Sequence, residues 1–316
     1  MDLIDAKTLE SLIDYPSLCS ELLLAHQRPI PVNADICLEH PGSADRFMLR
    51  PAWAQQEMLG VKLATIFPDN HYQPDPKPSV QGVYVAFDGL RGTPLFVAEG
   101  ATLTALKTAA DSALGLQLLA RHDVSTLLMV GAGDMALPLI GAFTSIRPSL
   151  SRILVWNRSL PRAEQLAARL QASGIECLST DDLDSAVAQA DVICSATMSE
   201  EPLLRGALLK PGTHVSLVGA WRPHMREADD ELMSRSQIYV DFRDTALASG
   251  ELCIPLQRGV ISQADVLADL YDLCRHPPAV DPNAITVFKN AGGAHLDLFT
   301  AQFLQRRIIA SKTASG

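Results

Sequence analysis

In "VGAGDMA", Gly131, Gly133 and Ala136 form a G-x-G-x-x-A triplet that directly follows the apolar run "TLLMV" and directly precedes a helical pattern. A glycine at the first position allows a tight strand-to-helix turn. One at the second lets the backbone approach a pyrophosphate, and a small third residue lets helix and strand pack closely. The helix N-terminus after this turn offers unpaired N–H groups to an anion. Asp134 and Met135 fill the rest of the loop, so Gly131 to Met135 is expected to hold a dinucleotide.

The next strand runs out in "VWNRSLPRA". A binder of an unphosphorylated dinucleotide commonly carries an acid there to grip the ribose 2′-hydroxyl, whereas this chain has Asn157, Arg158 and Ser159. Arg158 can stack on adenine or pair with a 2′-phosphate, and Asn157 and Ser159 can donate to its oxygens. NADP(H) is the expected cofactor, with NAD(H) second. One strand later, "SATMSEEPLL" puts Ala196, Thr197 and Met198 where a loop must pass close to such a ligand.

Around these loops, the strands "TLLMV", "RILVW", "ADVICSAT", "THVSLVG" and "SQIYVDFRD" alternate with the helical "GAGDMALPLIGAFTSI" and "PRAEQLAARLQASG". That alternation predicts an α/β fold with a doubly wound parallel sheet of the Rossmann type, over residues 116–297. Upstream, "FMLRPAW", "LGVKLATIF" and "GVYVAFDGLRGTPLFVAEG" read as strands of a mixed or antiparallel sheet, with "DGLRGTP" as a hairpin. The helix "TLTALKTAADSALGLQLLARH" leads from there into the parallel sheet. After the parallel sheet, "DPNAITVFKNAGGAHLDLFTAQFLQRRI" begins with a short strand and ends in an amphipathic helix that can return to the first domain. A discontinuous α+β domain, 1–115 completed by 298–316, is therefore expected.

The balance of 26 basic against 36 acidic residues leaves a net charge of −10. No Lys/Arg cluster with interleaved aromatics could track a phosphate backbone, so nucleic acid is not an expected partner. The opening "MDLIDAKTLE" has no basic segment leading into an apolar stretch, and no run of eighteen apolar residues occurs, which predicts a soluble cytoplasmic protein. Six cysteines are scattered without C-x-x-C pairs or nearby histidines at ligand spacing. They read as buried thiols, and no metal is expected.

Eight segments, "GVKLATIFPDN", "LTALKTAADSALG", "VGAGDMA", "VWNRS", "SATMSEEPLL", "PGTHVSLVGA", "VDFRDTALASGEL" and "TVFKNAGGAHLD", stand in the order and at the spacing of the ornithine cyclodeaminase and mu-crystallin family. The resemblance spans about Arg46 to Asp297. It implies a homodimer whose subunits each have a dimerising, substrate-binding domain and a dinucleotide-binding domain, with the reaction in the cleft between them. Members include ornithine cyclodeaminase, ketimine reductases, some amino-acid dehydrogenases and the mu-crystallins. All of the enzymes act by hydride transfer on the C–N bond at the α-carbon of an amino acid. By the same resemblance, Arg50, Lys62 and Lys107 bind the substrate carboxylate, with Lys107 standing where the family usually has arginine. Three cations converging on one site can neutralise a carboxylate, though lysine lacks the planar fork of arginine. Thr108 and the segment from Asn290 to Gly292 are implied to approach the nicotinamide.

The stretch "HVSLVGAWRPHMRE" decides between the reactions. In a sheet of this kind ligands sit outside the carboxyl ends of the strands, so the residue after Gly219 and Ala220 faces the substrate. In ornithine cyclodeaminases that position is an aspartate, the base that frees the side-chain amine for attack. Here it is Trp221, which cannot accept a proton but can wall a pocket against a flat ring. The expected reaction is the shorter one, hydride addition to the C=N carbon of a cyclic ketimine carboxylate. The proton can come from an imine that enters already protonated, or Lys62 can serve near its nitrogen. A cyclodeaminase with a relocated base, a binding protein like the mu-crystallins, and an open-chain imine reductase stay open. Asp69, Asp229 and Asp230 are the alternative acids, each also placed as a turn or helix-start residue. His224 and His295 receive no catalytic role.

Overall fold

Along Met58–Ile66, side chains alternate between buried and half-buried, the period-2 pattern of a strand with one covered face. It is the central strand of the first of two compact units. That unit comprises Met1–Lys107 and the C-terminal residues from Gly293, and the second comprises Thr108–Gly292. The computed structural model describes residues 1–314.

The first unit contains β1 (Asp2–Ile4), α1 (Ala6–Leu12), α2 (Tyr15–His26), β2 (Val32–Asn33), β3 (Ile36–Glu39), β4 (Arg46–Ala54), β5 (Met58–Ile66), β6 (Val80–Asp88), β7 (Pro94–Glu99) and the start of α3 (Gly100–Leu119). The second adds β8 (Thr126–Val130), α4 (Ala136–Ile146), β9 (Arg152–Trp156), α5 (Leu160–Ala172), β10 (Cys177–Thr180), α6 (Leu183–Gln189), β11 (Val192–Ser195), β12 (His214–Leu217), α7 (Asp230–Arg235), β13 (Gln237–Val240), α8 (Arg243–Ala248), α9 (Gly250–Gln257), β14 (Val266–Ala268), α10 (Leu270–Arg275) and β15 (Thr286–Lys289). The chain then returns to the first unit as α11 (Ala294–Ala314).

In the first unit the sheet runs β1-β7-β6-β5-β4-β2, with β3 also paired to β4; every pairing is antiparallel except β1 with β7. Helix α11 packs on β4 and β5, and α1 and α2 pack on α11. The two N-terminal helices carry aspartate caps, Asp5 and Asp14, which accept hydrogen bonds from Thr8 and Ser17 backbone N–H groups. Neither helix was anticipated from the sequence. The face of the sheet turned away from α11 is apolar and open. Register puts Val32, Ile36, Leu38, Phe47, Trp53 and Val83 on it together, and all six are exposed.

The second unit is built on an eight-stranded, wholly parallel sheet in the order β10-β9-β8-β11-β12-β15-β13-β14. Its core is aliphatic, with Leu128, Val130, Ile193, Val215, Leu217, Val240 and Val287 fully buried. From β8 the chain winds outward through β9 and β10, then restarts at β11 and winds the other way. The switch point between β8 and β11 is where a doubly wound sheet opens a crevice at its carboxyl edge.

Two expectations are corrected. The division falls after Lys107 and Gly292 instead of after residues 115 and 297, because it passes through the continuous helix α3, where composition does not change. The segment "TVFK" does not lie after the parallel sheet; β15 is inserted inside it, between β12 and β13. Its four residues are all buried, so it carries no alternation that could have revealed its neighbours.

Candidate active site

At the end of β8, Gly131 adopts a φ of 108°, and a Cβ there would stand 2.7 Å from the carbonyl oxygen of Ala196. Only glycine fits that turn. Gly133 is the opposite case: a Cβ on it would meet nothing within 4 Å, so its backbone faces open space. Helix α4 begins after Met135 with no side chain capping it, which leaves its first N–H groups to a ligand. Asp134 is exposed and Met135 half-buried. A tight turn, an open approach and an uncapped helix start together fit the pyrophosphate of a dinucleotide.

Asn157 braces this loop, its Oδ1 accepting from the Ala132 N–H at 3.2 Å and its Nδ2 donating to the Ser159 carbonyl at 3.0 Å. Its amide thus ties two loops together. Arg158 is exposed and forms no ion pair among the described residues, and Ser159 is exposed at the start of α5.

At the neighbouring strand end, the Ala196 N–H donates to Val130 at 3.0 Å, while Met198 is exposed. Thr197 is held by a carboxylate that sequence reasoning missed. Oε1 of the buried Glu227 accepts from the Thr197 N–H at 2.7 Å, from its hydroxyl at 2.8 Å and from Ser195 at 2.6 Å. Glu227 is itself fixed by Glu251, whose carboxylate accepts from the N–H groups of Glu227 and Ala228, both at 2.9 Å. Burial and the charge of Glu227 push Glu251 up to about 7, and Lys289 opposes them. The Lys289 ammonium donates to the Gly219 carbonyl. Gly219 has no room for a side chain, since a Cβ would meet the Thr197 oxygen at 2.2 Å and the Glu227 carboxylate at 2.6 Å.

Next in the chain, Ala220 takes a left-handed φ of 49°, a costly conformation for alanine that recurs at functional sites. Trp221 comes after it, 42% exposed, with the Arg222 guanidinium 4.6 Å from its ring centroid. On β15's exit, the buried Asn290 donates through Nδ2 to the Thr108 carbonyl at 3.1 Å and to the Ser112 hydroxyl at 3.0 Å, bringing Thr108 and Asn290 together. Asp241 accepts from the N–H groups of Ala291 and Gly292 and fixes the turn beyond.

The first unit gathers the charges. Strand register sets Arg50 opposite Lys62 and Lys62 opposite Tyr84, so the three share one row on the face that α11 covers. From the first turn of α11 comes Asp297, fully buried. The Lys62 ammonium lies 3.1 Å from Asp297 Oδ1 and 3.0 Å from Oδ2, and the Lys107 ammonium lies 4.0 Å from Oδ1. Arg50 pairs through Nε with the half-exposed Asp35 at 2.9 Å. The three cations anticipated from sequence thus converge, and each already has a carboxylate partner, Asp297 closely for Lys62 and at 4.0 Å for Lys107, and Asp35 for Arg50. Burial pushes Lys62 down to about 8; Asp297 opposes the fall, and Lys107 and Arg50 deepen it. Burial raises Asp297, but Lys107, Lys62 and Arg50 outweigh it and hold the carboxyl below its ordinary value.

His295, also on α11, is buried with its ring centroid 5.7 Å from that of His26. Burial, then His26, Lys107 and Arg50, hold it well below the usual histidine range, so it is neutral at neutral pH. The alternative acids serve local structure. Asp229 caps α7, Asp230 pairs with Arg226, and Asp69 lies in the short 3₁₀ helix Pro68–Tyr72. His224 lies at the surface, 3.5 Å from Glu200. Among the described residues no group of acids, cysteines and histidines could hold a metal ion, and no helix is long and apolar enough to cross a membrane.

Comparison with known proteins agrees with this architecture. The model of the ornithine cyclodeaminase/mu-crystallin family matches residues 30–312. The chain is 42% identical over 285 residues to a Δ1-pyrroline-2-carboxylate reductase of Paracoccus denitrificans, covering 89% of each chain. It is 36% identical to the mouse ketimine reductase mu-crystallin, over 80% of this chain and 78% of that one. The structure of the Thermococcus litoralis Δ1-pyrroline-2-carboxylate reductase in complex with NADH and L-proline superposes with a TM-score of 0.92. That match has 26% identity and covers 99% of this chain and 98% of the other.

Proposed function

The chain belongs to the ornithine cyclodeaminase/mu-crystallin family, and on that premise we propose that it reduces a cyclic ketimine carboxylate with a nicotinamide cofactor. The substrate is Δ1-pyrroline-2-carboxylate or Δ1-piperideine-2-carboxylate, and the product L-proline or L-pipecolate. The observation that carries the reading is Trp221, in the place where cyclodeamination needs a base. Asp229 and Asp230 are committed to a helix cap and an ion pair, so neither stands ready to replace it.

When bound, the reduced nicotinamide supplies the hydride that adds to the imine carbon. The chain's own residues do the rest. The Gly131 loop and the start of α4 take the pyrophosphate, and Thr197, Thr108 and Asn290 border the nicotinamide. Arg50, Lys62 and Lys107 offset the substrate carboxylate in surroundings dry enough for each charge to count. Trp221 walls the ring. Lys62, brought near neutrality by burial, is matched in acidity to the proton transfer at the ring nitrogen.

The cofactor is NADP(H) in preference to NAD(H), a reading supported by Arg158, which is exposed and has no carboxylate partner among the described residues, and by the lack of an acid at positions 157–159. The protein works as a homodimer. In support, the open apolar face around Phe47 and Trp53 is larger than isolated exposed side chains produce and is suited to a symmetric partner.

The test monitors oxidation of the reduced cofactor by its absorbance with each cyclic ketimine, beside an ammonia assay with L-ornithine. Stoichiometric cofactor oxidation without ammonia is expected. Ammonia release from ornithine without net cofactor consumption would replace the reading with cyclodeamination.

A further inference from the structure

Among the described residues around Lys62, one group is anionic and fully buried, Asp297. Arg50 comes from β4, Tyr84 from β6, Lys107 from α3, and His295 and Asp297 from α11, with His26 of α2 behind His295. His295 is a neutral donor or acceptor here, and burial together with the charge of Asp297 raises the Tyr84 phenol well above its ordinary value. Asp297 touches Lys62 with both oxygens, while Lys107 stands off at 4.0 Å and Arg50 turns its Nε to Asp35. The three cations are therefore not equivalent.

We propose that Asp297 is a positioning residue that withdraws Lys62 from the carboxylate-binding set and holds its ammonium for the ring nitrogen, leaving Arg50 and Lys107 to the substrate carboxylate. The proposal rests on the ketimine reductase reading above. In the step it serves, an Nζ–H bond of Lys62 breaks as an N–H bond forms at the imine nitrogen. The hydride adds to the neighbouring carbon, and the C=N π pair remains on nitrogen. Lys62, left neutral beside Asp297, regains its proton from solvent. Without the carboxylate, burial and two neighbouring cations would strip the proton from Lys62 at a lower pH.

The experiment measures kcat and KM for the ketimine from about pH 6 to about pH 10 in the full-length protein, its Asp297→Asn variant and its Asp297→Glu variant. In parallel, competitive acetylation with acetic anhydride, read by mass spectrometry at Lys62 without substrate, reports when that amine loses its proton. The wild type should lose kcat as pH rises through about 8. In Asp297→Asn the falling limb should move at least about one pH unit lower, so that kcat is down at least about fivefold at about pH 8 and recovers toward about pH 6. The acetylation midpoint should move with it, KM should change little, and Asp297→Glu should restore most of the profile. The ketimine's own titration adds the same limb to all three proteins and cannot produce the shift.

A uniform loss at every pH with an unmoved midpoint would overturn the proposal and leave Asp297 a packing residue. If the wild type reduces no ketimine, the reductase reading fails by itself, and the acetylation midpoint still decides whether Asp297 governs Lys62. If Asp297→Asn does not fold, the wild-type midpoint decides: one near 8 upholds a buried, carboxylate-held amine, and one at the ordinary lysine value overturns it.

Discussion

The Gly131 loop is built from backbone, whereas the cluster around Lys62 is built from side chains. The loop is one short run of residues at a single strand end, and its properties come from what glycines lack: a positive φ at Gly131 and open space at Gly133. The cluster is the reverse. Arg50, Lys62, Lys107 and Asp297 come from four elements spread over nearly the whole chain, aligned by strand register and by the return of α11. A backbone site is broken by adding atoms and a side-chain site by removing charge, and the two should fail in different kinetic constants.

The largest effect is expected in the cluster. Lys62→Ala should lower kcat/KM about 1,000-fold, within the range for a lost proton donor, while fluorescence titration shows cofactor binding intact. Full activity would remove Lys62 from the chemistry. At the loop, Gly131→Ala forces a side chain into a positive-φ position against the Ala196 carbonyl. A cost of about 1–3 kcal/mol should weaken cofactor binding by about tenfold to a hundredfold, with kcat at saturating cofactor less affected. A change confined to kcat would mean that the loop and cluster do not divide the work as described. The smallest effect sharpens the cofactor end. Arg158→Asp should reverse the preference between NADPH and NADH by about tenfold, the loss of one charge-assisted contact, and unchanged selectivity would exclude the 2′-phosphate contact.

The contrast between the two regions also explains what the sequence could reveal. The parallel sheet and the Gly131 loop were legible because their signals are local: apolar runs, a glycine triplet and a helix on schedule. Arg50, Lys62 and Lys107 were found through motif resemblance, yet their pairing was not, because Lys62 and Asp297 are 235 positions apart. Asp297 reads like any acid in the first turn of a helix, a place the helix dipole favours. Nor did periodicity single it out, because Ala294 to Leu304 are buried on every side of α11, and only the structure shows that this charge is in a place that demands a partner. Glu227, in "HMREAD", gave no warning either, since a buried carboxylate within a polar loop has no periodicity to break. The strand β15, buried along its whole length, was recognisable as a strand but not as an interior one.

On the proposed function both regions serve one reaction, and the most direct measurement tracks the hydrogen itself. Turnover of a cyclic ketimine with nicotinamide cofactor deuterated at C4 should deliver deuterium to the α-carbon of L-proline or L-pipecolate, a single atom for each cofactor oxidised. Cofactor oxidation that leaves the product unlabelled, or no turnover with either ring size, would contradict ketimine reduction by this chain.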